Sequence, residues 1–413
     1  MKTIKDVLDS GLCIGCGLCA VDKKIEETSY NSKIGQYLPI LPPNTNNISK
    51  ETFDICPGKG YDIINLSKKL FENSNTNYSI ELGYTNSLFV AHTLSKKVLE
   101  NASSGGIITQ ICLYLLDKKI VDKVIVTKFI NTKDGPRTKT LITNSKKEIL
   151  NSQGSKYCPV DISEIINELI ITKDKIAFVG TPCQVAGIRI LQENYKTFKE
   201  NIIITISNFC GGFKSYKNIE KIAKRNGIDY KNINFFRFRG GGQPGSMIIK
   251  DNHDKSVSID YPKYTGYSGL SKHLRCHLCV DATGELADIS CGDAWLEKYI
   301  TDKYPWSVII CRNHYATKLI NSMSNEKQIV TRNISQDEII ESQITNLKSK
   351  KIRQKARMRL YSILGYSIPN FDGGYRDTIT SIKTEITVFF KHRLLSFFEY
   401  IGIYWWLRKL MRK

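Results

Sequence analysis

Cys13, Cys16 and Cys19 stand at C-x2-C-x2-C spacing in the run LCIGCGLC, and Cys56-Pro57 answers them downstream. Three thiolates so spaced wrap one short loop around three irons of a cubane, and a remote Cys ligates the fourth. Gly15 and Gly17 between them let backbone N–H groups turn toward the sulfurs. This is the ligand pattern of a single [4Fe-4S] cluster, whose chemistry is one-electron transfer. A two-cluster run would need cysteines where Lys23, Asn46, Ser49 and Thr52 stand, so only one such cluster is expected here. A zinc knuckle or chance cysteines are the weaker readings of the same residues.

A second set of thiols lies farther on. Cys183 follows the apolar run KIAFV in GTPCQ, Cys210 follows NIIITIS in NFCGG, and Cys276 and Cys279 form a C-x2-C pair. Cysteines at the carboxyl ends of two adjacent parallel strands sit where open sheets bind cofactors. With the C-x2-C pair they complete four thiolates, enough for a second [4Fe-4S] cluster or for a zinc ion. Ordinary burial of Cys183 and Cys210 as small apolar residues is the bland alternative. Ser103-Ser104-Gly105-Gly106, ahead of a helical pattern, offers hydroxyls and free N–H groups to a phosphate or a flavin edge, although capping serines in a tight turn explain it equally well. In Gly154-Ser155-Lys156-Tyr157 the ammonium suits the pyrimidine ring of a flavin, against the commoner solvated lysine. No catalytic acid can be named. Asp281, Asp288, His273 and His277 are candidates only because they flank the second thiol set, and such residues more often cap or hydrogen-bond.

These residues need elements to hold them. A helix is expected to start at Gly105-Gly106, with Ile107, Ile108, Ile111, Cys112, Leu115 and Leu116 as its apolar stripe. Strands are expected at 121–127, 175–179 and 201–207. Strand and helix patterns in alternation indicate an α/β class with a parallel sheet. The Asn- and Ser-rich stretch Glu72–Tyr78 reads as a linker, closing a small unit of residues 1–78. Two halves of a central domain, 79–162 and 163–330, would follow it, and then a mainly helical basic section, 331–413.

At 413 residues and 41% hydrophobic content the chain can bury substantial cores. Its N-terminus lacks the apolar stretch of an export signal, and its twelve cysteines have metal-like spacing, so a cytoplasmic protein is expected. The formal charge is +20, and residues from Ser342 onward hold 15 Lys and Arg against 4 Asp and Glu, a net +11. Lys348–Arg359 contains no acid and would place positive potential on an exposed helix. An acidic partner follows: an acidic redox protein, an anionic cofactor tail or an anionic membrane surface, with no nucleic-acid module to suggest the last class of polyanion. The end of the chain carries Tyr404, Trp405 and Trp406 beside Arg408 and Lys409. It is too short and interrupted to span a bilayer and suits a helix at the inner membrane face or one docked on the protein itself.

Taken in order, ASSGG, GSKY, FVGTPCQ, NFCGG, FRFRG, CHLCVD and ADISCGDAW, over about Leu12 to Trp306, resemble the coenzyme F420 hydrogenase/dehydrogenase beta-subunit family with a ferredoxin-type 4Fe-4S domain in front. The resemblance implies FAD and two [4Fe-4S] clusters. Ser103, Ser104, Gly105, Gly106, Ser155, Lys156, Tyr157 and Thr181 would approach the flavin. Cys13, Cys16, Cys19 and Cys56 would hold the outer cluster, and Cys183, Cys210, Cys276 and Cys279 the inner one, which moves that set from zinc toward iron. Cys291 stands where the family's pattern has an aliphatic residue, as a ligand or as packing. The implied activity is an iron-sulfur flavoprotein oxidoreductase taking electrons from a ferredoxin-like donor or coenzyme F420 to an unidentified substrate, with surface polysaccharide metabolism as one branch. The alternative is an electron-transfer subunit of a larger redox complex with no substrate site of its own.

Overall fold

The three apolar runs at 121–127, 175–179 and 201–207 all become strands of one eight-stranded sheet. In chain order its strands are β1 (Ser87–Thr93), β2 (Lys123–Thr132), β3 (Gly135–Thr143), β4 (Ile176–Gly180), β5 (Ile202–Asn208), β6 (Ile289–Asp293), β7 (Ser307–Cys311) and β8 (Ile329–Asn333). They lie in the order β8-β1-β7-β6-β5-β4-β2-β3. The four inner strands β6, β5, β4 and β2 are parallel, and each remaining pairing is antiparallel. The sheet is therefore mixed rather than parallel. One reason is local: β2 returns into β3 through Lys133-Asp134, and a hairpin with no crossover can only be antiparallel. The computed structural model describes every residue except 26, 46–47, 265–271, 377–381 and 401–413, and the side chains of 399–400.

Alternate residues of the parallel strands supply two cores, one on each face. Ile125 and Phe178 pack with α3 (Pro182–Asn194) and with Leu18, Ile55 and Tyr61 from the front segment. Val124, Ala177 and Ile204 pack with α2 (Ile107–Asp117), which starts, as expected, directly after Gly106. The front segment is thus built into the first core. It opens with α1 (Ile4–Asp9), where Thr3 and Asp6 form a capping box, and continues through a hairpin of Thr28–Asn31 with Gln36–Pro39. A separate three-stranded antiparallel sheet (Ile233–Arg237, Ser246–Asp251, Ser256–Asp260) covers a further cluster around Tyr216.

The C-terminal section departs from expectation. Lys348–Arg359 is not an exposed helix: Lys350 and Lys351 are 1% and 0% exposed, and Gln354 and Arg357 are buried with them. One π-helical turn (Lys348–Ile352) leads into α5 (Gln354–Ile363), following α4 (Gln336–Ser342), and turns both lysines inward. Buried charge needs partners, and each lysine has them. Lys351 pairs with Glu285 and donates to the Gly374 carbonyl at 2.6 Å, while Lys350 donates to the Asp281 carbonyl at 2.5 Å. Glu385, on α6 (Ile382–Tyr400), receives both Arg353 and Arg357, at 2.6 and 3.0 Å. The aromatic tail at Tyr404–Trp406 lies outside the described residues. Among those described, no helix is long and apolar enough to cross a membrane.

Candidate functional site

Gly15 and Gly17 both have positive φ, +65° and +76°, and the turns they permit bring the first three cysteines round to Cys56. All four thiols line one hollow, walled otherwise by apolar groups such as Ile4, Val7 and Leu18. Backbone N–H groups of Gly15, Leu18, Gly58 and Lys59 reach Cys13, Cys16 and Cys56. Burial, with like-charged neighbours in the set, pushes the Cys13 thiol up to about 12 and holds Cys16 and Cys19 well above the ordinary range. Four thiols so crowded and dry are costly as free thiolates, and bound cationic metal removes that cost.

The loop is clamped from the central part of the chain. The Ile162 N–H donates to the Cys16 carbonyl at 2.9 Å, and a Cβ at Gly17 would lie 2.1 Å from Asp161 Oδ1. Asp161 itself accepts from Thr28 Oγ1 and Ser163 Oγ, each at 2.7 Å. On α3, a Cβ at Gly187 would stand 2.3 Å from Leu18 Cδ1, so this glycine sets how closely helix and loop approach. None of these clamping residues carries a metal-binding signature, so the sequence alone does not point to them.

The second quartet forms at the carboxyl edge of the parallel strands, as anticipated. Gly180 of β4 is in register with Ser207 of β5, so Thr181-Pro182-Cys183 and Cys210 leave the sheet side by side. Pro182 opens α3, and the Gln184 side chain accepts from both the Thr181 N–H and its hydroxyl at 3.0 Å. Thr181 Oγ1 lies 3.3 Å from Cys183 Sγ. Cys276 and Cys279 arrive on the short helix Leu274–His277 and the turn after it, and all four cysteines line a single cavity of about 1060 Å³. Burial and the nearby Cys210 raise Cys183 to about 12. Cys279 is the exception: burial acts upward on it too, but Lys350, 3.5 Å from its Sγ, and Arg275 bring it below its ordinary value.

Among the described residues, no three His, Cys, Asp or Glu side chains converge closely enough to hold a single metal ion. Two buried polar atoms beside the inner quartet, Tyr61 OH and Arg275 Nη2, have no partner within the protein. Both are donors, which suits sulfur acceptors at the cluster position. Two sets of four cysteines, the inner one with these donors beside it, fit iron-sulfur clusters.

The same cavity extends past Ser103, Ser104, Gly106, Ser155, Lys156 and Tyr157, so the segments expected to meet a flavin do converge on one space. They are not equally available to it. Ser104 Oγ donates to the Trp306 carbonyl at 2.7 Å and the Gly105 N–H to Ser307 Oγ at 2.9 Å, which ties the turn to β7. Gly105 is packed at the Ala91 carbonyl, away from the cavity wall. At this end of the cavity Ser103 Oγ and Gln153 Oε1 are buried without hydrogen-bond partners in the protein. Lys156 Nζ donates to the Gln153 and Gly154 carbonyls at 3.2 and 2.9 Å and also to Ser152, and burial lowers it to about 7. A cavity of this size with orphaned hydroxyl and amide groups fits a flavin nucleotide.

Two features here lie beyond what the sequence announces. Arg239, 2% exposed, pairs with Asp293 at 2.6 Å and donates to the Ser103 carbonyl at 2.7 Å. Tyr261 and Trp295 stack 5.4 Å apart, with the guanidinium over both rings. FRFRG and GDAW carry this signal as motifs, but nothing in either shows that they meet. Of the four suggested proton donors, Asp281, Asp288 and His273 are already engaged, and burial holds both histidines neutral. Asp281 accepts from the Gly284 and Glu285 N–H groups, and Asp288 pairs with Arg189 at 2.9 Å. His273 caps its helix at Arg275 N, and burial holds His273 near 4 and His277 near 3. Cys291 packs in the second core and also touches the cavity, apart from either quartet.

Comparison with known proteins bears on this arrangement. Two profiles of the coenzyme F420 hydrogenase/dehydrogenase beta subunit match, the N-terminal one at residues 88–167 and the C-terminal one at residues 173–337. The chain is 27% identical over 256 residues to the coenzyme F420 hydrogenase subunit beta of Methanococcus voltae, covering 59% of this chain and 83% of that one. It is 22% identical over 374 residues to the coenzyme F420-dependent sulfite reductase of Methanocaldococcus jannaschii, covering 86% of this chain but 52% of that enzyme. A chain of the F420-reducing [NiFe] hydrogenase complex from Methanosarcina barkeri shares the fold, with TM-score 0.54 and 19% identity over 73% of this chain and 99% of that one.

Proposed function

The chain belongs to the coenzyme F420 hydrogenase/dehydrogenase beta-subunit family, and from that premise we propose that it is the electron-transfer subunit of a larger redox complex. Cys13, Cys16, Cys19 and Cys56 hold an outer [4Fe-4S] cluster; Cys183, Cys210, Cys276 and Cys279 hold an inner one; and FAD occupies the cavity the inner quartet borders. Such groups supply one-electron steps at the clusters and one- or two-electron steps at the flavin. The observation carrying this reading is that a single cavity is lined by all four inner thiols and also by Cys16 of the outer set. The protein's own part is to hold both quartets on one rigid core, to keep water out with Ile4, Val7 and Leu18, and to place Ser103, Thr181 and Arg239 around the flavin.

Relatives named as subunits of F420-linked enzymes favour a subunit over a free-standing enzyme of surface polysaccharide metabolism. Coenzyme F420 is the proposed two-electron partner at the flavin cavity. An acidic, ferredoxin-like protein is the proposed partner at the outer quartet, consistent with the chain's +20 charge. The test is an exchange assay on anaerobically purified chain. Reduced F420 should pass electrons to a viologen dye only when FAD is present. Turnover of a small organic acceptor with no response to F420 would support the free-standing enzyme instead.

A further inference from the structure

Arg275 precedes the inner ligand Cys276 by one residue, yet its side chain reaches the other quartet. Its Nε–H donates to the carbonyls of Pro57 and Gly58, at 2.9 and 3.1 Å, directly after the outer ligand Cys56. The residue is 2% exposed, and its guanidinium lies 4.8 Å from the Phe371 ring and 6.0 Å from that of Tyr61. Its Nη2 is buried with no partner in the protein. No carboxylate is paired with it among the ion pairs of the described residues, so its charge is balanced by none of them. On its other side the residue lines the cavity that Cys183, Cys210, Cys276 and Cys279 border, so in this dry setting its fixed charge stands between the two quartets. Lys350 makes a contrast: its ammonium reaches Cys279 Sγ and the Asp281 carbonyl, both on the inner side.

We propose that Arg275 is a positioning residue shared by the two thiolate quartets, pinning the Cys56 loop to the Cys276 loop and setting the reduction potential at both. This rests on the two-cluster reading above. Four thiolates around a cubane leave a net negative group that becomes more negative on reduction, so a fixed buried cation stabilises the reduced form at each quartet. Removing it should lower both potentials together. Removing Lys350 should lower the inner one alone.

The test is a redox titration, followed by electron paramagnetic resonance, of anaerobically purified full-length chain. The wild type must first show two iron-sulfur signals; a single signal would overturn the two-cluster reading and this inference with it. Given two, Arg275→Gln is expected to weaken reduction at both by about tenfold, a shift of about 59 mV for one electron. Lys350→Met should shift only the inner signal. Unchanged potentials in Arg275→Gln, or a shift at one signal alone, would overturn the shared role. If Arg275→Gln does not retain iron, Arg275→Lys decides. It keeps the charge without the planar fork, so iron retained with both potentials near the wild-type values supports the proposal, while loss of iron or a fall at either signal contradicts it.

Discussion

At the residue scale, the chemistry is legible where a ligand's type and spacing are themselves the signal. C-x2-C-x2-C with Cys56 predicts a shared position because metal thiolates must be cysteines at loop-compatible intervals, and the four thiols do line one hollow. Gly17 makes room for backbone N–H groups, but its tighter constraint is Asp161, which no local pattern announces. Two substitutions separate these roles. Cys56→Ala should reduce iron from about eight to about four atoms per chain while leaving the flavin bound. Gly17→Ala, strained by positive φ and by contact with Asp161 and Ser163, should give the same half-loss by displacing the loop without touching a ligand. Iron and flavin analysis of both proteins checks this; full iron content in Gly17→Ala would mean that the loop yields without cost.

At the element scale, β2, β4 and β5 and the start of α2 are legible because continuous apolar runs and a Gly-Gly punctuation are local properties. The antiparallel strands β1, β7 and β8 and the sheet of 233–260 are not, since their partners are set by long-range pairing. The basic run at 348–359 misleads for a similar reason: an acid-free stretch looks solvated until Glu285 and Glu385, brought from elsewhere, enclose it. That enclosure predicts strong coupling. Lys351→Met should cost about 3–5 kcal/mol in urea unfolding by leaving a buried carboxyl unpaired, and adding Glu285→Gln should recover most of it. Burial raises Glu285 to about 7, with Lys351 opposing. Its folded value exceeds its unfolded one, so its contribution to stability is present at low pH and lost as pH rises toward 7. Glu285→Gln should flatten that part of the stability profile, and an unaltered slope would show that Glu285 is ionised throughout.

At the scale of the whole molecule, the front segment and the sheet act as one body: Leu18 and Ile55 share a core with Phe178, Gly187 sets their approach, and Arg275 joins the two thiol loops. The alternation of patterns and the order of motifs indicate the family, but not this shared core, because packing between distant segments leaves no periodicity in either. An arrangement that places eight thiols around two adjoining hollows, the larger of about 1060 Å³, has one direct consequence in composition. The decisive measurement is the iron, acid-labile sulfide, zinc and flavin content of the anaerobically purified chain. About eight irons, about eight sulfides and one FAD are expected per chain; zinc in place of iron, with no labile sulfide, would overturn the two-cluster reading.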